Sequence, residues 1–245
     1  MSLPLDARCR QAILLPVVIA LGVGFAAMRV VGVLGAAPWR ALLPLGFVLM
    51  ALTPWLLLRR GGRVQIGLVA PRHRGGLLAA LAVGVGAALA CFAIGLLLFG
   101  TSADHWFVSI ASSYRRTMDT TGFAPWQLHL TFTLPAVLFS PIGEEIYFRG
   151  LLQRTLEDRL GARTATALEC GAFGIVHHFH HGLYRGPAGL GLHPLSGAVW
   201  VLLMAATAWA FATVRRRTGS VYPAMAAHAA FNVTMNVAIF AALWR

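Results

Sequence analysis

The chain is poor in charged residues, and this scarcity limits what can surround it. Only 11% of its 245 residues are charged, whereas a soluble domain carries about 25%. Lysine is absent, and only eight residues are acidic. So few charges cannot cover a water-facing surface, which excludes an ordinary soluble domain. Hydrophobic residues make up 58% of the chain, so we expect lipid to be its main solvent.

Several other patterns are missing. The three cysteines, Cys9, Cys91 and Cys170, offer neither a disulfide framework nor the spacing of a cysteine metal site. Segment 76–98 lacks the alternating polarity that a membrane β-barrel strand requires. No repeat, linker or low-complexity segment divides the chain. We therefore treat residues 1–245 as a single integral-membrane domain.

The chain does contain long apolar runs. A spanning helix needs about 20 apolar residues, and helices satisfy their own backbone in lipid. The fold class predicted is all-α, a polytopic transmembrane helical bundle with about seven spans (roughly six to eight) and interfacial amphipathic helices. The predicted spans are 11–36, 41–58, 76–100, 127–148, 164–181, 195–214 and 219–243.

The connections between these runs hold most of the basic residues. All 20 basic residues are arginines, clustered in joints such as 59–74 and 215–217. This placement is typical of membrane-topology signals and argues against a nucleic-acid partner. Segment 150–162 has the spacing of an interfacial helix. Segment 101–126 fits either an interfacial amphipathic helix or a plain solvated connection.

Two adjacent carboxylates end the fourth apolar run. Ionisable residues inside spans are functional candidates by default. Glu145 and Arg149 are four residues apart, so they share a helix face and can pair. Glu144 then points away from Arg149, toward the interior of the bundle. A carboxylate in such an apolar site is suited to act as a general base. The alternative is a structural ion network of both glutamates with Arg149 and Arg154 at the membrane edge.

A histidine-rich segment follows at 177–181. Phe173 and His177 are four residues apart and lie on one helix face. His177 also has metal-binding spacing to His180 and His181. The alternative is that His178, His180 and His181 form only a polar helix end. Upstream, Glu169 either supports the site or is simply interfacial.

The last apolar run carries His228 and Asn232 on one face, among several alanines. Small residues allow helices to approach closely in lipid, so this polar face is a candidate site lining. The alternative is hydrogen bonding between helices without chemistry. Asn236 lies one turn further along and extends the polar stripe.

Together these segments supply the parts for hydrolysis without a covalent nucleophile. A glutamate and a histidine can polarise a water molecule for attack on a peptide carbonyl. A second histidine and an asparagine can donate hydrogen bonds to the developing oxyanion. We therefore predict a peptide hydrolase whose site residues converge from several helices.

At these residues the sequence resembles the CAAX prenyl protease and bacteriocin-processing family of intramembrane proteases, called CPBP or Abi. The resemblance covers about residues 135–240, where we predict the catalytic core. It rests on three motifs in order: E-E-x-x-x-R at Glu144, Glu145 and Arg149, F-x-x-x-H at Phe173 and His177, and H-x-x-x-N at His228 and Asn232.

The resemblance implies a role for each motif residue. Glu144 would be the general base, helped by His177, and His228 with Asn232 would form the oxyanion hole. The supporting residues would be Glu145, Arg149 and Phe173.

The resemblance leaves metal dependence open, because members have been described both as metalloproteases and as metal-free glutamate proteases. Zinc or another divalent metal would take Glu144, His177 and His228 as ligands, since a catalytic zinc usually has three protein ligands. The histidine-rich 177–181 segment exceeds the family pattern and adds to the metal interpretation. The interpretation we prefer requires no cofactor.

The expected partners are a membrane-anchored or lipid-associated protein or peptide substrate and the bilayer itself. The arginine-rich, lysine-free composition suggests a bacterial source, hence a multi-pass protein of the inner (cytoplasmic) membrane, and argues against prenylated substrates. Two other functions remain: a transporter with a polar relay, and a non-catalytic immunity or partner-binding membrane protein.

Overall fold

The computed structural model describes residues 4–73, 75–186 and 189–244, and nearly all of them form helices. The first half of the chain forms helices that connect through short turns. They are α1 (Gln11–Leu34), a 3₁₀ turn (Ala37–Ala41), α2 (Leu42–Leu57), α3 (Arg60–Gln65), α4 (Gly75–Phe99) and α5 (Trp106–Thr117).

The second half carries all three motifs. Its elements are α6 (Pro125–Leu138), α7 (Ser140–Glu144), a π-helix (Glu145–Leu152), α8 (Gln153–Leu160), α9 (Ala162–His181), the strands β1 (Leu183–Gly186) and β2 (Gly189–Leu192), α10 (Pro194–Thr218), α11 (Tyr222–Ala238) and a second π-helix (Ile239–Leu243). The two strands pair as an antiparallel hairpin, with Leu183 opposite Leu192.

The outside of the bundle is apolar. Leu97, Leu78 and Leu56 expose 84%, 73% and 71% of their surface. Soluble proteins rarely expose continuous apolar surface of this kind. Within the described residues, five helices are long and apolar enough to cross a membrane: Gln11–Leu34, Pro38–Leu57, Gly75–Phe99, Pro194–Thr218 and Tyr222–Leu243. The protein is thus an all-α, polytopic membrane protein, as predicted.

Two of the seven predicted spans are not among these five helices. Run 127–148 is divided at Phe139, so that α6 has 14 residues and α7 has five. Pro141 contributes to this division because it cannot donate a backbone hydrogen bond. Run 164–181 lies within α9, which has 20 residues but includes Arg163, Glu169 and the histidines. These polar residues make α9 a less apolar helix than the five.

Segment 101–126, left open between an interfacial helix and a solvated connection, differs in the structure from segment 150–162, which we predicted as an interfacial helix. In α5, Trp106 and Phe107 are buried, and the Trp106 ring stacks on Trp200 with centroids 5.6 Å apart. Segment 106–117 is therefore an amphipathic helix with one face packed on the bundle. Segment 150–162 is instead buried over its first half, where the π-helix runs into α8. It continues a buried helix because Leu151 and Leu156 pack into the core.

Small residues bring the helices of the site close together. A Cβ atom at Gly84 of α4 would lie only 2.8 Å from the carbonyl carbon of Ala227 on α11. A Cβ atom at Gly143 of α7 would lie 2.8 Å from the Cα atom of Phe47 on α2. Such backbone contact is typical of helix packing in lipid. The Gly143 contact presses the chain just before Glu144 against α2.

Candidate active site

Glu144 and Glu145 lie where α7 passes into the π-helix, and both side chains are fully buried. A π-helix is rare and is frequently found at functional sites. The adjacent carboxylates leave the helix in different directions, as expected from about 100° of rotation per residue in a regular helix. They nevertheless meet the same histidine ring.

His228 of α11 lies between the two carboxylates. Its Nδ1 atom is 2.8 Å from Oε1 of Glu145, and its Nε2 atom is 3.7 Å from Oε2 of Glu144. The ring of Phe211 stacks on the imidazole, with centroids 5.5 Å apart. The structure therefore brings the first and third motifs into direct contact.

Arg149 contacts the same oxygen of Glu145 as His228 does. One guanidinium nitrogen lies 3.1 Å from Glu145, as the four-residue spacing predicts, and another lies 3.5 Å from Glu169. The guanidinium also covers the ring of Phe173 at 3.9 Å. Arg154, which the alternative ion network required, pairs with Asp158 instead. Glu169 is thus a fully buried partner of Arg149 and not an interfacial residue.

His177 of α9 is held in one tautomer. Its Nδ1 atom lies 2.7 Å from the carbonyl oxygen of Phe173, which can only accept a hydrogen bond. The Nδ1 atom therefore carries the proton, and Nε2 of the neutral ring is an acceptor. The Phe173 ring lies 4.2 Å from the His177 ring and 6.0 Å from the His228 ring, centroid to centroid. The two histidines thus flank one aromatic ring.

Asn232 lies one turn after His228, and one of its two amide protons is already engaged. Its Nδ2 atom donates to the carbonyl oxygen of Ala136 on α6 at 2.8 Å. Asn236 does not extend the site, since it bonds to Tyr114 and Thr133. The structure therefore brings Glu144, Glu145 and His228 into contact, while the Asn232 amide is directed to the backbone of α6.

Arg29 is a site residue that we did not predict from the sequence. It projects from α1, is 4% exposed, and makes an ion pair with Glu144. An arginine in the middle of an apolar run is itself a signal of function. The signal is its position inside the first apolar run, away from the arginine-rich connections.

Ser140 is a second unpredicted neighbour of the site. Its hydroxyl donates to Oε2 of Glu144 at 3.1 Å and lies 3.5 Å from Nε2 of His228. Ser140 precedes Glu144 by four residues, so the spacing that selected Glu145 and Arg149 would also have found it.

The remaining histidines of α9 divide between two environments. His180 reaches the site, where its Nε2 atom lies 3.4 Å from Arg29. His181 turns away and hydrogen bonds to Ser196 at 2.8 Å. His178 packs where the backbones of Gly182 and Gly197 approach its ring. The histidine-rich segment is therefore not one ligand cluster.

The predicted metal ligands do not fit a metal centre in this arrangement. Glu144 is paired with Arg29, and Nδ1 of His228 is bonded to Glu145. Across residues 4–73, 75–186 and 189–244, no three His, Cys, Asp or Glu side chains are placed to hold one ion.

A buried cluster of carboxylates, imidazoles and guanidinium groups inside a membrane bundle is typical of an intramembrane enzyme site or ion pathway. Comparison with protein families distinguishes the two. Residues 125–234 match the family described as type II CAAX prenyl endopeptidase Rce1-like. This segment includes all three motifs, so the match confirms the family resemblance and supports a CAAX-type intramembrane protease in general terms. No curated protein and no solved structure matches the chain.

Proposed function

We propose that the protein is an intramembrane endopeptidase that hydrolyses peptide bonds of membrane-associated substrates with a water molecule activated by Glu144 and His177. The observation that carries the proposal is the contact of Glu144 with His228, at 3.7 Å, within the matched segment. Both side chains are at least 95% buried, so water there is shielded from bulk solvent. In a site shielded from bulk water, hydrogen bonds and charges stabilise a transition state more than they would in water.

Glu144 is the general base in this mechanism. Its Oε2 atom faces Ser140 and His228, while the ion pair with Arg29 holds the carboxylate. His177 accepts a hydrogen bond from the same water through Nε2, because its Nδ1 proton is committed to Phe173. The water loses a proton to Glu144 as its oxygen attacks the peptide carbonyl, and Glu144 then returns that proton to the leaving amine.

His228 and Asn232 stabilise the oxyanion. A His228 ring protonated at both nitrogens donates from Nδ1 to Glu145 and from Nε2 towards the substrate oxygen. Asn232 donates one amide proton to the carbonyl of Ala136, and its second amide proton is the donor for the same substrate oxygen.

The decisive test is Glu144→Gln, which preserves the side-chain shape and removes the base. New termini of membrane proteins are mapped and quantified in cells that express the wild-type chain or the variant. Since a general base contributes about 10²–10⁴-fold, the termini made by the wild type should fall by at least about 10²-fold.

Glu157→Gln is the matched control, because Glu157 contacts Gln153 and Arg215 outside the site. The control should cleave like the wild type at equal membrane abundance. Cleavage that persists in Glu144→Gln would remove Glu144 as the base. If no new termini appear with the wild-type chain, the protease proposal itself is wrong.

The position of Ser140 is compatible with a second mechanism, in which the serine is the nucleophile. Ser140 Oγ, His228 Nε2 and Glu145 Oε1 lie in sequence at 3.5 and 2.8 Å, which is the order of a serine–histidine–carboxylate triad. In that mechanism Ser140 attacks the carbonyl and forms an acyl-enzyme. A fluorophosphonate probe separates the two mechanisms. Labelling that is lost in Ser140→Ala indicates the serine mechanism, and its absence together with an active Ser140→Ala variant excludes it.

The substrate is membrane-anchored or lipid-associated, because the site lies within a bundle whose outer surface is apolar. The same terminus comparison identifies it, since a cleaved membrane protein leaves a new end. A bacterial inner membrane remains the proposed location. A transporter, the competing proposal, would move a solute without producing new termini.

A further inference from the structure

We propose that Arg29 and His180 form a coupled pair that positions Glu144, a role that rests on the proposed function of Glu144 as the base. Neither residue belongs to the three motifs, and Arg29 lies outside the matched segment 125–234. The pair would give the first transmembrane helix a direct part in the site. It would also account for one histidine in the segment that exceeds the family pattern.

The contacts of Arg29 define the pair. Its guanidinium makes an ion pair with Glu144, lies 3.4 Å from Nε2 of His180, and stands over the Phe47 ring at 5.4 Å. These contacts come from three different segments, α7, α9 and α2. A guanidinium is rigid and planar, so contacts at several points fix its orientation. The position of the Glu144 carboxylate then follows from the position of Arg29.

The direction of the hydrogen bond makes the pair asymmetric. Arginine only donates, so Nε2 of His180 must accept and the ring must be neutral, with its proton on Nδ1. His180 is therefore a support for the guanidinium, and Glu144 receives the positive charge. Because Arg29 contacts Oε1 of Glu144, the other carboxylate oxygen is left to face Ser140 and His228.

His180 also lies beside the second part of the proposed water-activating unit. The rings of His180 and His177 are 5.3 Å apart and nearly perpendicular. The His180 side chain therefore contacts both the Arg29 guanidinium and the His177 ring. A shift of His180 would disturb the carboxylate and the imidazole that are proposed to share one water molecule.

A charged residue in a span is costly to insert, and it almost always faces the bundle interior and a partner. Arg29 is such a residue, and its span is otherwise apolar. An arginine within a span is a functional candidate by default, and its partner is the carboxylate that it contacts, Glu144. The test must therefore distinguish positioning from simple stabilisation.

The experiment compares Arg29→Met, His180→Leu, His180→Gln and the double variant Arg29→Met/His180→Leu. The readout is the rate at which the new membrane-protein termini appear, at equal membrane abundance. A misplaced base costs roughly 10²-fold, which we expect for Arg29→Met. His180→Leu removes one hydrogen bond to a charged group and should cost about tenfold.

Two results are specific to the proposed pair. Glutamine retains a carbonyl acceptor for Arg29, so His180→Gln should restore at least half of the rate lost in His180→Leu, measured on a logarithmic scale. The double variant should be no slower than Arg29→Met alone, because coupled residues are not additive. Two controls are His178→Leu, in the same helix turn, and Arg215→Met, a buried arginine near the carbonyl of Ile66. Both should cleave within about twofold of the wild type.

The proposal is overturned if His180→Gln is as slow as His180→Leu, or if the two single losses multiply in the double variant. If Arg29→Met does not accumulate in the membrane, the His180 variants still decide the question, since His180 is only half-buried. The proposed function is tested separately by Glu144→Gln. An inactive Glu144→Gln variant beside wild-type rates in every Arg29 and His180 variant removes the pair and retains the protease.

Discussion

Two polar groupings involve side chains of α11, and they differ in charge. Around His228 the groups are charged, and a single ring faces two carboxylates. About two turns further along α11, the groups hydrogen bond without a carboxylate or guanidinium: Tyr114 donates to Asn236, which donates to Thr133, whose hydroxyl lies 3.1 Å from His129. In this neutral hydrogen-bond chain each donor has one acceptor. We interpret it as a link between α5, α6 and α11, and the charged grouping as the site.

Replacing each of two asparagines with alanine gives the strongest test of this difference. Asn232 and Asn236 lie on the same helix, one turn apart, but in different groupings. Asn232→Ala should lower the cleavage rate by about 10²–10³-fold, as expected for loss of an oxyanion donor. Asn236→Ala should leave the rate of the folded protein within a few-fold. The measurement is the appearance of new termini at equal membrane abundance, and equal losses in both variants would end the distinction.

A region without polar groups shows what packing alone contributes. Gly84 touches Ala227, whereas a Cβ atom at Gly86, on the same helix, would meet nothing within 4 Å. Gly84→Val should therefore lower the free energy of unfolding by at least about 1–3 kcal/mol, because overpacking forces the backbones of α4 and α11 apart. Thermal unfolding in detergent should show a lower midpoint for Gly84→Val. Gly86→Val is the control, and an equal loss there would contradict the proposed contact.

Removing a single hydroxyl from the neutral hydrogen-bond chain should lower the stability of the protein. Tyr114→Phe keeps the ring stacked on Phe132, where the centroids are 4.2 Å apart, and removes the bond to Asn236. Hydrogen bonds between helices in membranes average about 0.6 kcal/mol and reach about 1.7 kcal/mol. We expect a loss of stability in that range, measured by denaturant unfolding. A change in cleavage rate beyond a few-fold would instead connect the chain to the site.

The smallest effect is expected from a chelator. In the proposed mechanism the base is paired with Arg29 and no step passes through a metal ion. Purified protein treated with EDTA and then freed of it should cleave a membrane substrate at an unchanged rate. Loss of activity that zinc restores would establish metal dependence and require Glu144 to leave Arg29.

The sequence was most informative where a residue type and its spacing carry chemistry. Polar groups in apolar runs need a reason to be there, and for this reason the sequence indicates four candidates: Glu144, His177, His228 and Asn232. The Glu145–Arg149 pair followed from helical spacing and is present at 3.1 Å. Such local relations depend on neighbours in the chain, which a sequence displays directly.

Relations between distant segments were less accessible. The partner of Arg29 is on α7, and nothing in the run around Arg29 indicates which carboxylate it meets. The engagement of Asn232 with Ala136 depends on how α6 lies against α11. The π-helix at Glu145–Leu152 also has no periodic signal, because its wider turns reflect packing on several sides.

The pairing of Arg29 with Glu144 has a consequence for biosynthesis. The first helix leaves the ribosome about 115 residues before the glutamate does, which at about 5–20 residues per second is roughly 6–23 s. During that interval the arginine has no carboxylate of α7 to meet. The nascent first helix must therefore remain shallow, or be shielded by the insertion machinery, until the seventh helix is made.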